Sequence, residues 1–440
     1  MRERRADWAM PIRLNTREPD FQQRFRAFLA TKRETAPDIE ADVRAIIADV
    51  VARGDRALID LTRKFDRVDL SESGLRVAPS EIEAAVWACD PTQLSALRLA
   101  RERIEAYHRR QLPGDERFTD ALGVELGYRW RPVAAVGLYV PGGTAAYPSS
   151  VLMNAVPAKV AGVPRLVMVV PTPDGALNPL VLAAADLAGV DEIYRIGGAQ
   201  AVAALAYGTA TIAPVDKIVG PGNVYVAAAK RLVFGKVGID MIAGPSEVLI
   251  IADREANPDW IAADLLAQAE HDAAAQAILV TDDDDLAGSV DRSIAAQLAT
   301  LPRREIAAAS WRDFGAIIRV RTLDEAPALV DALAPEHLEI AARGGERLAE
   351  AVNHAGAIFI GQHTPEAIGD YVAGSNHVLP TARSARFSSG LGALDFMKRT
   401  SILRCGPDQL AALGPAAVAL AEAEGLAAHA RSIAIRLNSR

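Results

Sequence analysis

Glu247-Val-Leu-Ile-Ile-Ala252 is a short aliphatic, β-branched run that follows Pro245-Ser246 and stops at Asp253. Between turn residues such a run reads as a strand. The stretch after it, Asp264-Leu-Leu-Ala-Gln-Ala-Glu-His271, is apolar-periodic and reads as helix. Further β-rich runs follow at Ala277 to Val280, Ala316 to Val320 and Ala357 to Ile360. Upstream lies a similar series: Ala134 to Val140, Leu166 to Val170, Glu192 to Ile196 and Lys217 to Val219, again separated by helical stretches. Alternation at this spacing predicts βαβ units on parallel sheets. The fold class is therefore α/β, with two tandem Rossmann-like parallel-sheet units. Between them, Gly238-Ile-Asp-Met-Ile-Ala-Gly-Pro-Ser246 reads as a crossover, and the cleft between the units is the expected site.

From Glu40 to Arg110 the apolar residues fall three and four apart (Val43, Ile46, Ile47, Val50, Val51), which predicts a helical N-terminal layer. Gln409 to Arg440 is helical and alanine-rich, with apolar mass on one face, and is expected to dock on another surface such as a partner subunit's. The 440 residues are half apolar with a net charge of −8, which favours filled cores and small-molecule chemistry over nucleic acid. No apolar run approaches the roughly 18 residues of a spanning helix, and no apolar segment follows the basic start Met1 to Arg5. A cytoplasmic, non-membrane protein is expected. Cys89 and Cys405 lack any Cys-x-x-Cys pairing or adjacent base, so neither a disulfide framework nor thiol catalysis is expected.

Three glycine loops follow strands: Tyr139-Val-Pro-Gly-Gly-Thr, Ile196-Gly-Gly-Ala-Gln200 and Gly220-Pro-Gly-Asn223. Glycine there admits a closely approaching ligand, but none is the Gly-x-Gly-x-x-Gly fingerprint. On spacing alone they fit tight turns as well as a dinucleotide site. Gln268 and His271 share a helix face by their three-residue spacing. Asp370, Asn376 and His377 lie in a later Gly-rich segment, and Glu424 and His429 lie in the last one. Imidazole, amide and carboxylate donors without thiolate suit a catalytic zinc, and also manganese or cobalt. Taken alone, Gln268 with His271 is an ordinary polar pair, Glu424 and His429 are surface residues, and Glu336-His337 is an acid and base that alternation would turn apart. His108, among arginines on a helix, is expected to be exposed.

Taken together, these segments resemble the histidinol dehydrogenase family nearly end to end. The resemblance rests on Gly137-Leu-Tyr-Val-Pro-Gly-Gly, Gly197-Gly-Ala-Gln-Ala, Gly220-Pro-Gly-Asn, Ala243-Gly-Pro-Ser-Glu, Gln268-Ala-Glu-His, Pro335-Glu-His-Leu-Glu, Gly369-Asp-Tyr, His377-Val-Leu-Pro-Thr and Glu424-Gly-Leu-Ala-Ala-His429. It implies NAD- and zinc-dependent, four-electron oxidation of L-histidinol through L-histidinal to L-histidine, the last two steps of histidine biosynthesis. It implies that Gln268, His271, Asp370 and His429 hold one zinc, and that Ser246, Glu336, His337, His377 and Glu424 contact substrate along with those ligands. Tyr139, Gln200 and Asn223 would line the NAD site. His337 would be the proton acceptor and Glu336 the activator of water. Family members are homodimers, so Glu424 and His429 would act in the neighbour's site. The domains expected are an N-terminal extension (1–32), a catalytic and metal-bearing α/β unit (33–133 with 247–390), a dinucleotide-binding unit (134–246) and a C-terminal helical dimerisation segment (391–440). One alternative is a dehydrogenase of the same fold acting on another small alcohol, such as a sulfonated diol. The other is a zinc-containing assembly protein without catalysis.

Overall fold

The computed structural model describes residues 10–31, 39–71, 74–142, 147–242 and 244–437. Residues 1–9 and 32 of the expected extension, 33–38 and 72–73 of the expected catalytic unit, Gly143, Thr144 and Ala243 of the quoted motifs, and 438–440 of the C-terminal segment lie outside them. Two parallel sheets form the body. The first runs Glu192–Tyr194, Arg165–Val169, Ala135–Tyr139, Lys217–Val219, Gly238–Ile239 across its width. The second runs Ile12–Asn15, Ala316–Arg319, Gln276–Thr281, Glu247–Ala252, His337–Ala341, Ala357–Ile360. Glu247–Ala252 and Gln276–Thr281 are buried along their whole length because helices cover both faces, which is why Val248 to Ala252 and Ala277 to Val280 within them read as unbroken apolar runs.

The order of strands reverses once in each sheet. In the first, the chain moves outward from Ala135–Tyr139 to Glu192–Tyr194 and then resumes on the other side at Lys217–Val219. In the second it moves from Glu247–Ala252 to Ala316–Arg319 and resumes at His337–Ala341. A crevice opens at such a reversal, because the two connections leave for opposite faces.

Two expected groupings change. Helices Glu40–Arg53 and Asp55–Phe65 bury Val43, Val50 and Leu58 against the alanine-rich helix Gly198–Tyr207 on one face of the first sheet. Pro79–Ala88 and Pro91–Arg109 bury Leu97, Ala100 and Ile104 with Pro148–Val160 and Pro179–Ala188 on its other face. The helical layer within 33–133 therefore shares its cores with 134–246 rather than with 247–390. Likewise, 12–30 is part of the second sheet: Ile12–Asn15 pairs with Ala316–Arg319, and Phe21, Phe25 and Phe28 enter that sheet's core. His108 is buried, not exposed, because it continues the Leu97, Ala100, Ile104 stripe, and its Nδ1 bonds Ile104 O at 2.7 Å.

A third, antiparallel sheet joins Met397–Arg404, Glu125–Pro132 and Glu116–Thr119, and was not foreseen. It leads into the helices Pro407–Ala423 and Ala427–Leu437, which pack on each other and leave Leu413, Leu420, Leu426 and Ile435 exposed. Among the described residues, no helix is long and apolar enough to cross a membrane.

Candidate active site

The reversal in the second sheet positions the most reactive side chains. Helix Ala326–Leu333 ends at Ala334, whose φ of +45° is left-handed and strained for a residue with a Cβ. Pro335 follows, and the chain enters the strand only at His337. Because Glu336 precedes the strand, alternation does not turn it away, and both side chains line one cavity. This differs from the expectation drawn from strand geometry alone.

Glu336 is clamped to the adjacent strand end. Its Oε2 accepts the Glu247 backbone N–H at 3.0 Å, and its own N–H donates to Glu247 Oε2 at 3.3 Å. The His337 ring is buried, with Nδ1 3.0 Å from Glu247 O. A carbonyl can only accept, so Nδ1 carries the proton and Nε2 presents its lone pair. That Nε2 has no hydrogen-bond partner among the described residues and lies 3.9 Å from Asp370 Oδ1. Burial, with the neighbouring His271 and His377, lowers the imidazole to about 3, so it is neutral near pH 7.

Gln268 and His271 do come together in the cavity, but not on a continuous helix. The helix Pro258–Ala269 stops short of His271, which a closing turn carries by donating its N–H to Gln268 O at 3.2 Å. That helix runs back antiparallel to the strand before it, so its end lies at the amino ends of the second sheet's strands. Glu336, His337 and Ser246 lie at that same end. The cavity therefore lies outside the carboxyl ends of the first sheet's strands but at the amino ends of the second's. Gln268 is buried, and its Oε1 has no hydrogen-bond partner among the described residues. Burial pushes the Asp370 carboxyl up to about 7. His377 is tethered by Nδ1 to Asp370 O at 3.0 Å and meets Ser150 Oγ through Nε2 at 3.3 Å. Burial lowers its ring to about 4. Asn376 is architectural: its amide bonds Met153 O at 2.7 Å and Val378 N at 2.9 Å.

The cavity, about 310 Å³, is lined by Gln268, His271, Glu336, His337, Asp370 and His377, with Ser246 at its side. From the first sheet it receives Gly220, Pro221, Gly222 and Asn223. The carboxyl ends of the first sheet thus face the amino ends of the second across one space. Tyr139 and Gln200 are buried outside the lining, and the Tyr139 hydroxyl accepts the Gly198 N–H at 3.0 Å. Asn223 Oδ1 caps its own helix through the N–H groups of Tyr225 and Val226. Lys230 and Asp240 also line the cavity. Sequence reading passed over them, since a lysine within a helix and an aspartate after a two-residue strand carry no signal of pairing.

Glu424 caps the end of Pro407–Ala423, and His429 sits on Ala427–Leu437, both exposed and absent from the cavity lining. Among the described residues no group of three or more His, Cys, Asp or Glu is placed to hold a metal ion. In the cavity the expected ligand set contributes one imidazole, His271, one carboxylate, Asp370, and an amide. The amide oxygen of Gln268, buried and unbonded, is nonetheless what a hard or borderline cation requires, since such an atom is costly to bury without a partner. These three donors could form part of a cation's coordination sphere.

A family model described as histidinol dehydrogenase matches residues 29–437. The histidinol dehydrogenase of Rhodopseudomonas palustris is 72% identical over 431 residues, covering 98% of this chain and 100% of that one. That of Bradyrhizobium diazoefficiens is 72% identical over 429 residues, with the same coverage. Among solved structures, the crystal structure of histidinol dehydrogenase from Elizabethkingia anophelis superposes with a TM-score of 0.93 at 35% identity, covering 98% of each chain.

Proposed function

The chain belongs to the histidinol dehydrogenase family, oxidoreductases of histidine biosynthesis, and from that premise we propose that it oxidises L-histidinol through L-histidinal to L-histidine, using NAD and one zinc. The observation that carries the reading is the pair of buried, unbonded atoms, His337 Nε2 and Gln268 Oε1, lining one cavity. One is an imidazole lone pair open to a substrate hydroxyl, the other an oxygen open to a cation.

Gln268, His271 and Asp370 would hold the metal with His429 of a second subunit, and the bound cation would orient the substrate and stabilise negative charge. NAD, when bound, accepts the hydride of each oxidation. The chain's own residues do the rest. In the alcohol step His337 Nε2 takes the hydroxyl proton, while the Nδ1–H bond to Glu247 O keeps the ring in the receptive tautomer. In the aldehyde step Glu336, held in place through the Glu247 backbone N–H, takes a proton from the attacking water. Ser246, His377 and Glu424, the last from the second subunit, would complete the substrate contacts. Tyr139 and Gln200 would support the loops on which NAD lies, with Asn223 facing it.

A homodimer with sites completed in trans gives the exposed Leu413, Leu420 and Ile435 a partner surface and brings in His429 and Glu424. A cytoplasmic setting suits the two free cysteines. The test is a steady-state assay counting NADH per histidinol consumed, with zinc measured in the same sample. Two NADH per histidinol from zinc-loaded protein is expected. One NADH with free aldehyde released, or turnover only of another small alcohol, would overturn the proposal.

A further inference from the structure

Beneath the loop Gly220-Pro-Gly-Asn223 lies an ion pair that the mechanism above does not use. Lys230, on the helix Val224–Val233, and Asp240, just past the strand Gly238–Ile239, pair at Nζ and Oδ1 with side chains 3% and 1% exposed. Both also seize Gly220: Asp240 Oδ2 accepts its N–H at 2.7 Å, and Lys230 Nζ donates to its carbonyl at 3.0 Å. Three contacts thus close a ring through one glycine. A larger residue there is strained, since φ is +111° and a Cβ would stand 2.1 Å from Tyr139 O. Burying two charges is costly, and an apolar pair of similar volume would serve stability as well or better. What such a pair supplies is a fixed geometry for the peptide groups it grips.

We propose that Lys230 and Asp240 are positioning residues that hold the Gly220–Asn223 loop in the shape that receives the dinucleotide. The inference rests on the reading that NAD lies on this loop, and it assigns the pair to cofactor affinity rather than to proton transfer. A loop pinned in advance loses less freedom on binding. Releasing it therefore weakens NAD while leaving histidinol, held on the second sheet's side of the cavity, largely unaffected.

The test uses full-length, zinc-loaded enzyme and three variants: Lys230→Met, the paired Lys230→Met/Asp240→Leu, and Asn223→Ala. NAD is titrated directly by calorimetry, KM is measured for NAD and for histidinol, and melting temperature is recorded. The paired variant leaves no lone charge in the interior, so it keeps the fold testable if Lys230→Met does not fold. Expected is a rise of about tenfold in the Kd and KM of NAD in the paired variant, the effect of one lost hydrogen bond. The KM of histidinol and kcat at saturating NAD should stay within about threefold. If Asn223→Ala weakens NAD but the paired variant does not, the loop binds cofactor and the ion pair does not position it. A lowered melting temperature with both KM values shifted alike assigns the pair to architecture and overturns the proposal. If Asn223→Ala leaves NAD binding unchanged, it is the cofactor reading itself that fails.

Discussion

Glu339→Gln should stabilise this protein at alkaline pH and leave it nearly unchanged near pH 5. Glu339 is two residues past His337 on the same strand, hence on the same face, and is 4% exposed. Its Oε1 accepts the Glu366 N–H at 2.5 Å, and its carboxyl also bonds the Asp264 side chain. Burial first, then the Asp264 charge, pushes Glu339 from 4.5 up to about 8. Between those two values the folded protein keeps a proton that the unfolded chain has released, so stability falls as pH rises through the window. At about 1.4 kcal/mol per pH unit the interval bounds the loss at ~5 kcal/mol. Asp264, itself raised to about 6 by burial, is bonded to the same carboxyl and shares the proton, so the loss for Glu339 alone falls below that bound. Glutamine has the shape of the protonated acid, accepts from Glu366 N–H and donates to Asp264, but cannot ionise. Urea unfolding at fixed protein concentration, at pH 5, 6.5 and 8, should show the gap between variant and parent opening with pH. A constant gap, or a variant less stable than the parent at pH 8, would mean that Glu339 is ionised in the folded state.

Three further outcomes are expected. His337→Ala and Glu336→Ala should each cost about 10²–10⁴ in turnover, and rapid-mixing assays should find Glu336→Ala more damaging with histidinal than with histidinol as substrate. Gln268→Ala should weaken zinc at least about tenfold, read as metal per subunit after dialysis against a chelator, and added zinc should restore activity to the parent but not to the variant. Gly220→Ala should destabilise by about 2 kcal/mol or more, because φ is +111° and the new Cβ meets Tyr139 O; an unchanged melting temperature would show that the loop relaxes freely.

What could be read in the chain divides along burial. Glu247–Ala252 and the strands around Ala135–Tyr139 announced themselves because both faces are covered, so their side chains are mostly apolar on both faces. Glu125–Pro132 and Met397–Arg404 did not, because the one is half-buried and the other largely exposed, and backbone pairing that sets few demands on side chains holds them together. The grouping of the N-terminal helices failed for a related reason: an apolar stripe such as Val43 and Val50 says that a helix packs, not on which sheet. At the site, Gln268, Glu336, His337 and Asp370 were legible as residue types recurring in dense motifs, and their convergence followed the strand reversal. The Lys230–Asp240 contact was not, since it joins a helix interior to a strand end through the backbone of a third segment.

The edge strand Ile12–Asn15 carries a consequence for how the chain is made. Its strand neighbour in the sheet among the described residues, Ala316–Arg319, is synthesised about three hundred residues later. The 134–246 layer can close around its own strands while the earlier segment is still waiting, with Phe21, Phe25 and Phe28 lacking the core they finally enter. Assembly of the second sheet is thus a late, long-range event, slow by the distance it must close. During translation, those three phenylalanines are where a chaperone would find its grip.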